Sequence, residues 1–545
     1  MPGGGLRPKI PLSGAGAGPR LGLKEGPGTC APGSGTGQGA GVAFRSDTMV
    51  RPQEDLQKAH KRRQSRESFL ETLESIIVAF VLAFVFRAFV VEAFVIPTGS
   101  MGPTLYGQHV EFTCSDCGYK FAMGAEGTPS AEPVCPNCFL PQRVPPRVPL
   151  YSGDRILVLK FLYDFEEPRR WDVIVFRNPN EPSQNYIKRL VGLPGETLEI
   201  VRGDVTIDGR IAHKADHAQD ALWMLVHDTR YKPTRRDWEP RWAADKGWEA
   251  RDGGFALAAA PAGGEVSWLT YRHLDPRGQA GNIMDFYAYN SGAGGPRFGQ
   301  NVCTDLALTT EVTAQAPSSA VAVELRAYKD RIRFELSAQG SERPTRILVN
   351  GAEVAKAPAG VLPVGRPVKV LAANVDHKLM LLVGGRRVAT VHSREVTPEG
   401  DITYEPQPVS ENERQQFESP RPDDPRAMAA EARVGACGGP VALGYVRLDR
   451  DVYYVSNEVG GRGENGANLG HGTEGNPFTL KAGEHFVCGD NSPKSFDSRL
   501  WTAIDRPVVP RRNLVGKAFF VYWPAAGTRY HVPLAPDATG WRLVH

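Results

Sequence analysis

The chain has 545 residues, more than one ordinary domain holds and enough for about three or four. Its 64 basic and 61 acidic residues leave a net charge of only +3, so the composition carries no nucleic-acid footprint. Eight cysteines are too few for a disulfide scaffold at this length.

Residues 1–50 are rich in Gly, Ala and Pro and show no apolar period, so they are expected to stay disordered. The sequence leaves the start open between Met1 and Met49. A basic stretch follows, with Lys58, Lys61, Arg62, Arg63 and Arg66, and residues 1–67 read as a disordered, basic tail. Ser68 and Glu71 fit a capping box that opens a helix. From Ile76 to Phe86 the chain is wholly apolar for 11 residues. Extending the run from Phe69 to Val91 gives the ~20 residues a bilayer span needs. Glu71, Glu74 and Arg87 then lie near the ends, where charged side chains snorkel. A buried core helix and an uncleaved secretory signal fit the same run. The anchor reading assigns residues 68–96 to the membrane. The basic residues ahead of the run then hold the N-terminus in the cytoplasm, with everything after Ile96 outside. No small-residue cleavage site follows the run.

Beyond the run the chain reads as β. Arg155–Lys160, Asp172–Phe176 and Leu514–Trp523 are predicted strands, and Leu198–Gly209 a hairpin around Arg202-Gly203-Asp204. Residues 213–444 form a long insertion. Val321–Leu325, Ile332–Leu336 and Val368–Leu371 alternate as strands do, and Lys378–Val388 is a hairpin with Gly384-Gly385 at its turn. Regular strands with turn signals predict a β-sandwich there, similar to concanavalin-like jelly rolls but without a site motif. A Pro-, Glu- and Arg-rich stretch, 404–433, links it back.

Cys114-x2-Cys117 and Cys135-x2-Cys138, with 17 residues between the pairs, have the spacing of a four-thiolate zinc ribbon. Gly118 and Pro136 suit tight knuckles. Two disulfides fit the same residues in an oxidising exterior. Cys30, Cys303, Cys437 and Cys488 show no pairing logic, Cys488 reading as a small core residue, and the 12 histidines do not cluster.

Three further segments carry chemistry. The first is Ile96-Pro97-Thr98-Gly99-Ser100-Met101-Gly102-Pro103-Thr104-Leu105. The second is Tyr186-Ile187-Lys188-Arg189-Leu190-Val191-Gly192-Leu193-Pro194-Gly195-Glu196. The third is Gly489-Asp490-Asn491-Ser492-Pro493-Lys494-Ser495-Phe496-Asp497-Ser498-Arg499. In this order behind one apolar helix they closely resemble the bacterial type I signal peptidases, the leader peptidases that use a Ser/Lys dyad. Tyr151-Ser-Gly-Asp-Arg-Ile-Leu-Val158 resembles the family's remaining box, a strand that frames the cleft. Together the boxes cover roughly 200 residues.

The resemblance implies a membrane-bound serine endopeptidase that cleaves N-terminal signal peptides from exported preproteins. Ser100 is then the nucleophile and Lys188 the general base. Thr98 and the Ser100 amide complete an oxyanion hole, and Met101 packs below the cleft. Ser495 orients the lysine, and Asp497 pairs with Arg499 behind the site. Family members often carry an Arg after Gly-Asp-Asn, where this chain has Ser492-Pro493. The zinc-ribbon cysteines are not typical of the family. Expected partners are signal peptides, the lipid bilayer and the secretion machinery, with no nucleic acid. Catalysis needs no cofactor, and structural zinc sits at the four cysteines. Localisation is the cytoplasmic membrane, single-pass. A cytosolic self-cleaving repressor is disfavoured by the anchor, and a non-catalytic receptor by the intact Ser100, Lys188 and Ser495.

The expected fold is mostly β: a catalytic core behind one transmembrane helix, with a zinc-ribbon-like insertion and a β-sandwich-like insertion. The core occupies 97–112, 143–212 and 445–545, and the insertions 113–142 and 213–444.

Overall fold

A computed structural model describes residues 51–125, 132–144, 148–260, 264–275, 280–291, 299–393, 403–418, 430–455, 470–501, 506–523, 528–529, 532–533 and 542–545. The expected disorder of 1–50 lies outside the described residues. Helix α1 runs from Arg51 to Phe89, so it opens well before Ser68, and 51–67 are helical rather than disordered. The Gln, Glu, Lys and Arg residues of that stretch are good helix formers, and Arg63 pairs with Glu67 one turn on. Ser68 is mid-helix, its carbonyl accepting from the Thr72 hydroxyl at 2.8 Å instead of its side chain capping an end. Arg63–Phe89 has a mean hydropathy of 2.2 over its most apolar window, and its large side chains are exposed, Phe84 at 66%. Among the described residues it is the one helix long and apolar enough to cross a membrane.

The helix stops at Phe89 because the next residues do something else. Val91–Val95 is strand β1, antiparallel to β4 (Arg155–Leu159) with Val91 opposite Leu159. The apolar tail 90–96, expected to finish the anchor, thus lies at the edge of a sheet, where its β-branched residues pack well. Strands β2 (His109–Thr113) and β3 (Lys120–Gly124) pair with each other. Strands β5 (Val173–Arg177) and β6 (Asn185–Gly192) pair as neighbours, with Ile174 opposite Lys188. The main sheet runs β1, β4, Leu514–Trp523, β5, β6, Glu484–Cys488, Val509–Pro510. Ile96, Met101, Leu105, Ile156 and Val158 form one apolar cluster against its face. The hairpin of β7 (Thr197–Val201) and β8 (Asp204–Ile207) turns at Arg202 and Gly203, both at positive φ.

Between these segments two sheets of nine and seven strands bury one apolar core, built from Leu308, Val370 and Leu448 on one side and Val323, Phe334 and Val434 on the other. The Lys378–Val383 and Arg386–Ser393 strands turn at Gly384 and Gly385, whose φ angles of 58° and 76° a type I′ turn requires. The last strand, Val441–Arg450, runs past residue 444 because its inward alternation continues through Val446 and Leu448. The stretch expected to be a plain link, 404–433, contains the helix Glu411–Glu418, opened by a capping box. There the Glu413 carboxylate accepts from the Ser410 amide at 2.9 Å.

Candidate active site

Ser100 lies in the buried turn Gly99–Met101 that follows β1, with Met101 sealed into the core below it. Thr98 precedes the turn in extended conformation, with its side chain exposed and making no capping bond. Lys188 comes from the centre of the main sheet, in β6, 88 residues away in sequence. Its Nζ is 2.6 Å from Ser100 Oγ and 3.1 Å from the Ile187 carbonyl, and 5.5 Å from the Tyr186 ring centroid. Lys188 is 4% exposed, and among the described residues no carboxylate forms an ion pair with it. Burial pulls its pKa from the ordinary 10.5 to about 8, against the opposing pull of Asp497 and Asp490. A lysine so placed exists partly as a neutral amine near neutral pH, in contact with a hydroxyl. That pairing can remove a proton from Ser100.

Two buried ion pairs brace the site. Arg499 meets Asp497 with both ends of its fork, Nε to Oδ1 at 2.9 Å and a terminal nitrogen to Oδ2 at 2.7 Å. Its other donors go to the Val455 carbonyl, the Ser492 hydroxyl and the Ser492 carbonyl, so the guanidinium has all five bonds made. Ser492 thus serves as an acceptor for Arg499. The Asp497 carboxyl lies below its usual range: burial raises it, but Arg499, Ser495 and the Gly489 amide more than offset that. The second pair is Arg189 with Asp490, bidentate at 2.7 Å on each arm and fully buried. Arg189 also donates to the Trp171 and His545 carbonyls. Sequence reasoning passed over this pair. Its signal was there: each partner stands directly beside a motif residue, Lys188 and Gly489.

Ser495 departs from expectation. Its hydroxyl is buried, and no hydrogen bond joins it to Lys188, whose Nζ bonds Ser100 and the Ile187 carbonyl. It sits against Gly489 and close to Asp497. Gly489 is required here, since a Cβ would lie 2.3 Å from both the Ser100 carbonyl oxygen and Ser495 Oγ. Asn491 was not singled out from sequence, yet it grips the turn that carries Ser100. Its amide nitrogen Nδ2 donates to the Gly99 carbonyl at 2.9 Å, and its backbone N–H to the Ser100 carbonyl at 3.0 Å. Cys488 is fully buried in the apolar core beside the site.

The cysteines 114, 117, 135 and 138 converge, their sulfurs within 4.8 Å of one another. Cys114–Cys138 and Cys117–Cys135 are each 3.6 Å apart. That is far beyond the ~2.05 Å of a disulfide. It is close to the ~3.8 Å edge of a tetrahedron with ~2.3 Å metal–sulfur bonds. Gly118 and Phe139, each one residue past a pair, both adopt positive φ and close matching knuckles. The donor set fits a zinc ion. A second group, Asp204, Asp305 and Asp376, also gathers carboxylate oxygens. There the buried Lys214 ammonium bonds Asp376 and, at 2.7 Å, Asp451, supplying the compensating charge from within the protein.

Residues 146–237 and 402–523 match the family model described as signal peptidase, peptidase S26. Those stretches contain Lys188 and the Gly489–Arg499 box, while Ser100 lies ahead of them. Among curated relatives, a signal peptidase I of Rickettsia bellii (strain OSU 85-389) is 26% identical over 164 residues, covering 29% of this chain and 45% of its own. One from Leptolyngbya laminosa is 30% identical over 177 residues, covering 31% and 64%. One from Pseudomonas aeruginosa is 36% identical over 121 residues, covering 22% and 31%. The match thus spans between about a third and two thirds of these relatives' lengths. Among solved structures, a carbohydrate-binding module CBM66 from Bacillus subtilis is 10% identical, with a TM-score of 0.23 over 38% of this chain and 95% of its own, a likeness too slight to carry an argument.

Proposed function

We propose that this chain, a member of the signal peptidase (peptidase S26) family, is a membrane-bound serine endopeptidase that removes N-terminal signal peptides from exported preproteins. The observation that carries the reading is the 2.6 Å approach of a buried, charge-unpaired Lys188 to Ser100. Neutral Lys188 accepts the Ser100 proton as Oγ attacks the scissile carbonyl. The Ser100 amide and the Thr98 hydroxyl stabilise the oxyanion. Protonated Lys188 then gives its proton to the leaving amine. The neutral lysine activates a water molecule, which hydrolyses the acyl-enzyme. Asp497–Arg499 and Arg189–Asp490 hold the loop and strand that carry these groups.

No cofactor takes part in the chemistry. Cys114, Cys117, Cys135 and Cys138 hold a structural zinc that ties the two knuckles together. The apolar part of α1 crosses the cytoplasmic membrane once, with the basic residues ahead of it inside and the catalytic residues outside. Substrate binds in extended form. On β6, pairing with Glu484–Cys488 reaches as far as Arg189, and among the described residues Asn185–Lys188 ladders only with β5, so the reading places the added strand alongside that segment. Ser100 sits in a turn rather than on a strand, so it reaches the bond from the side of that segment. The partners are signal peptides of preproteins, the bilayer and the secretion machinery. The deciding experiment is cleavage of a signal-peptide-bearing precursor by the wild type and by Ser100→Ala. Cleavage by both at equal rates would overturn the proposal.

A further inference from the structure

We infer that the turn Tyr287–Ser291, contributed by the long insertion, is a working part of the active site, with Asn290 as a positioning residue for the nucleophile. The inference rests on the Ser100–Lys188 reading and deepens it. Asn290 and Asn491 face each other amide to amide: Asn290 Nδ2 donates to Asn491 Oδ1 at 2.6 Å, and Asn491 Nδ2 donates to Asn290 Oδ1 at 2.9 Å. The second Nδ2 proton of Asn491 goes to the Gly99 carbonyl at 2.9 Å. A side-chain amide has one accepting and one donating end of nearly the same shape. The reciprocal bond fixes which end of Asn491 points at Gly99. Without Asn290 the Asn491 side chain loses the partner that fixes its position, so the Nδ2 bond to Gly99 loosens and only the Asn491 backbone bond to the Ser100 carbonyl still ties Asn491 to the turn carrying Ser100.

The surrounding contacts serve the same end. The Tyr289 ring lies against the nucleophile turn so closely that a Cβ on Gly99 would sit 2.3 Å from its Cε1. It stacks on Tyr106, just past the nucleophile box, with centroids 5.6 Å apart and planes 11° from parallel. Tyr287 Oη donates to the Asp490 carbonyl at 3.3 Å. Ser291 Oγ accepts from the Val134 amide, beside the cysteine cluster, at 3.2 Å. A five-residue turn from outside the core motifs therefore touches the nucleophile turn, the Gly489–Asn491 loop and the cysteine unit. A tether of this kind matters because displacing a reacting group by ~1 Å costs on the order of a hundredfold in rate.

The test compares wild type, Asn290→Leu (volume kept, bonds lost), Asn290→Ala, Asn290→Asp, Asn491→Ala and the Asn290→Ala/Asn491→Ala double variant, as full-length chains in detergent. Asn290→Leu and Asn290→Ala should lower kcat about tenfold or more, with KM changed less than about twofold. Asn290→Asp keeps the acceptor that holds Asn491 Nδ2 but sets a second oxygen against Asn491 Oδ1, so it should recover only part of that loss. The double variant should be no slower than Asn491→Ala alone, because Asn290 acts through Asn491. A general loss of stability would not reproduce that non-additivity or the rescue. Wild-type kcat in both Asn290→Leu and Asn290→Ala, multiplying losses in the double variant, or a change confined to KM would each overturn the inference. Ser100→Ala and Lys188→Met run alongside: their inactivity keeps the dyad standing when the Asn290 result fails, and their activity overturns the dyad itself.

Discussion

Raising the pH from 7 to 9 should increase cleavage by roughly tenfold, and the size of the effect comes from where Lys188 sits. Burial holds its pKa at about 8 instead of 10.5, with Asp497 and Asp490 opposing the drop. About a tenth of the enzyme carries a neutral Lys188 at pH 7, and about nine tenths at pH 9. Since only the neutral amine can take the Ser100 proton, kcat/KM should rise with unit slope below pH 8 and level off above it. The assay is kcat/KM on a precursor-derived peptide from pH 6 to 10, with the scissile peptide free of titrating groups. The same burial has a stability consequence of definite sign. Between about 8 and 10.5 the unfolded chain binds the proton that the folded one has released, so stability rises with pH across that window. The difference of about 2.5 units is worth roughly 3 kcal/mol, a cost fully present below pH 8. A flat profile or a rate that falls with pH would refute Lys188 as the base, and a midpoint at 10 or above would refute the lowering of its pKa by burial.

Ser100→Ala and Lys188→Met should each abolish cleavage while far-ultraviolet circular dichroism stays that of the wild type, because nucleophile and base act as a unit; substantial residual turnover by either would count against the dyad. Purified protein should hold about one zinc per chain by elemental analysis. Cys114→Ser with Cys138→Ser should lose it and lower the thermal midpoint; absence of metal together with no titratable thiol at the four positions would establish disulfides. Protease added from outside to cells with a permeabilised outer layer should reach residues beyond 97 and spare 50–66, and the reverse pattern would invert the orientation. The resemblance to type I signal peptidases implies two small pockets, for the residues one and three before the cut, so Ala→Leu at either should slow cleavage tenfold or more, since an ill-fitting methylene costs ~1–3 kcal/mol in a tight pocket. Equal rates for a precursor with Leu at both positions would exclude small-residue pockets.

The chemistry-bearing residues were legible because each sits in a local pattern that limits what it can be. Ser100 follows Pro97-Thr98-Gly99, Lys188 opens Lys-Arg-x-x-Gly-x-Pro-Gly-Glu, and Asp497 and Arg499 stand two apart on one loop. Some strands were legible from period-two alternation, as at Ile332–Leu336, and the Gly384-Gly385 turn from its demand for positive φ. Both ends of the apolar helix differ from the expectation for a related reason. Apolar content alone does not distinguish a membrane-facing turn of helix from the β-branched edge strand Val91–Val95, and Ser68 resembles a cap only when the helix formers ahead of it are discounted.

What the sequence could not hold was anything that depends on separation in space. The drop in the Lys188 pKa is a property of the side chains that exclude water around it, contributed by several strands. The Arg189–Asp490 pair joins residues 301 apart, and the Asn290–Asn491 pair residues 201 apart. Local sequence determines which conformations a segment prefers and which groups it can offer. Only the closed fold decides which of those groups lose their water together, and at Lys188 that desolvation is what lowers the pKa.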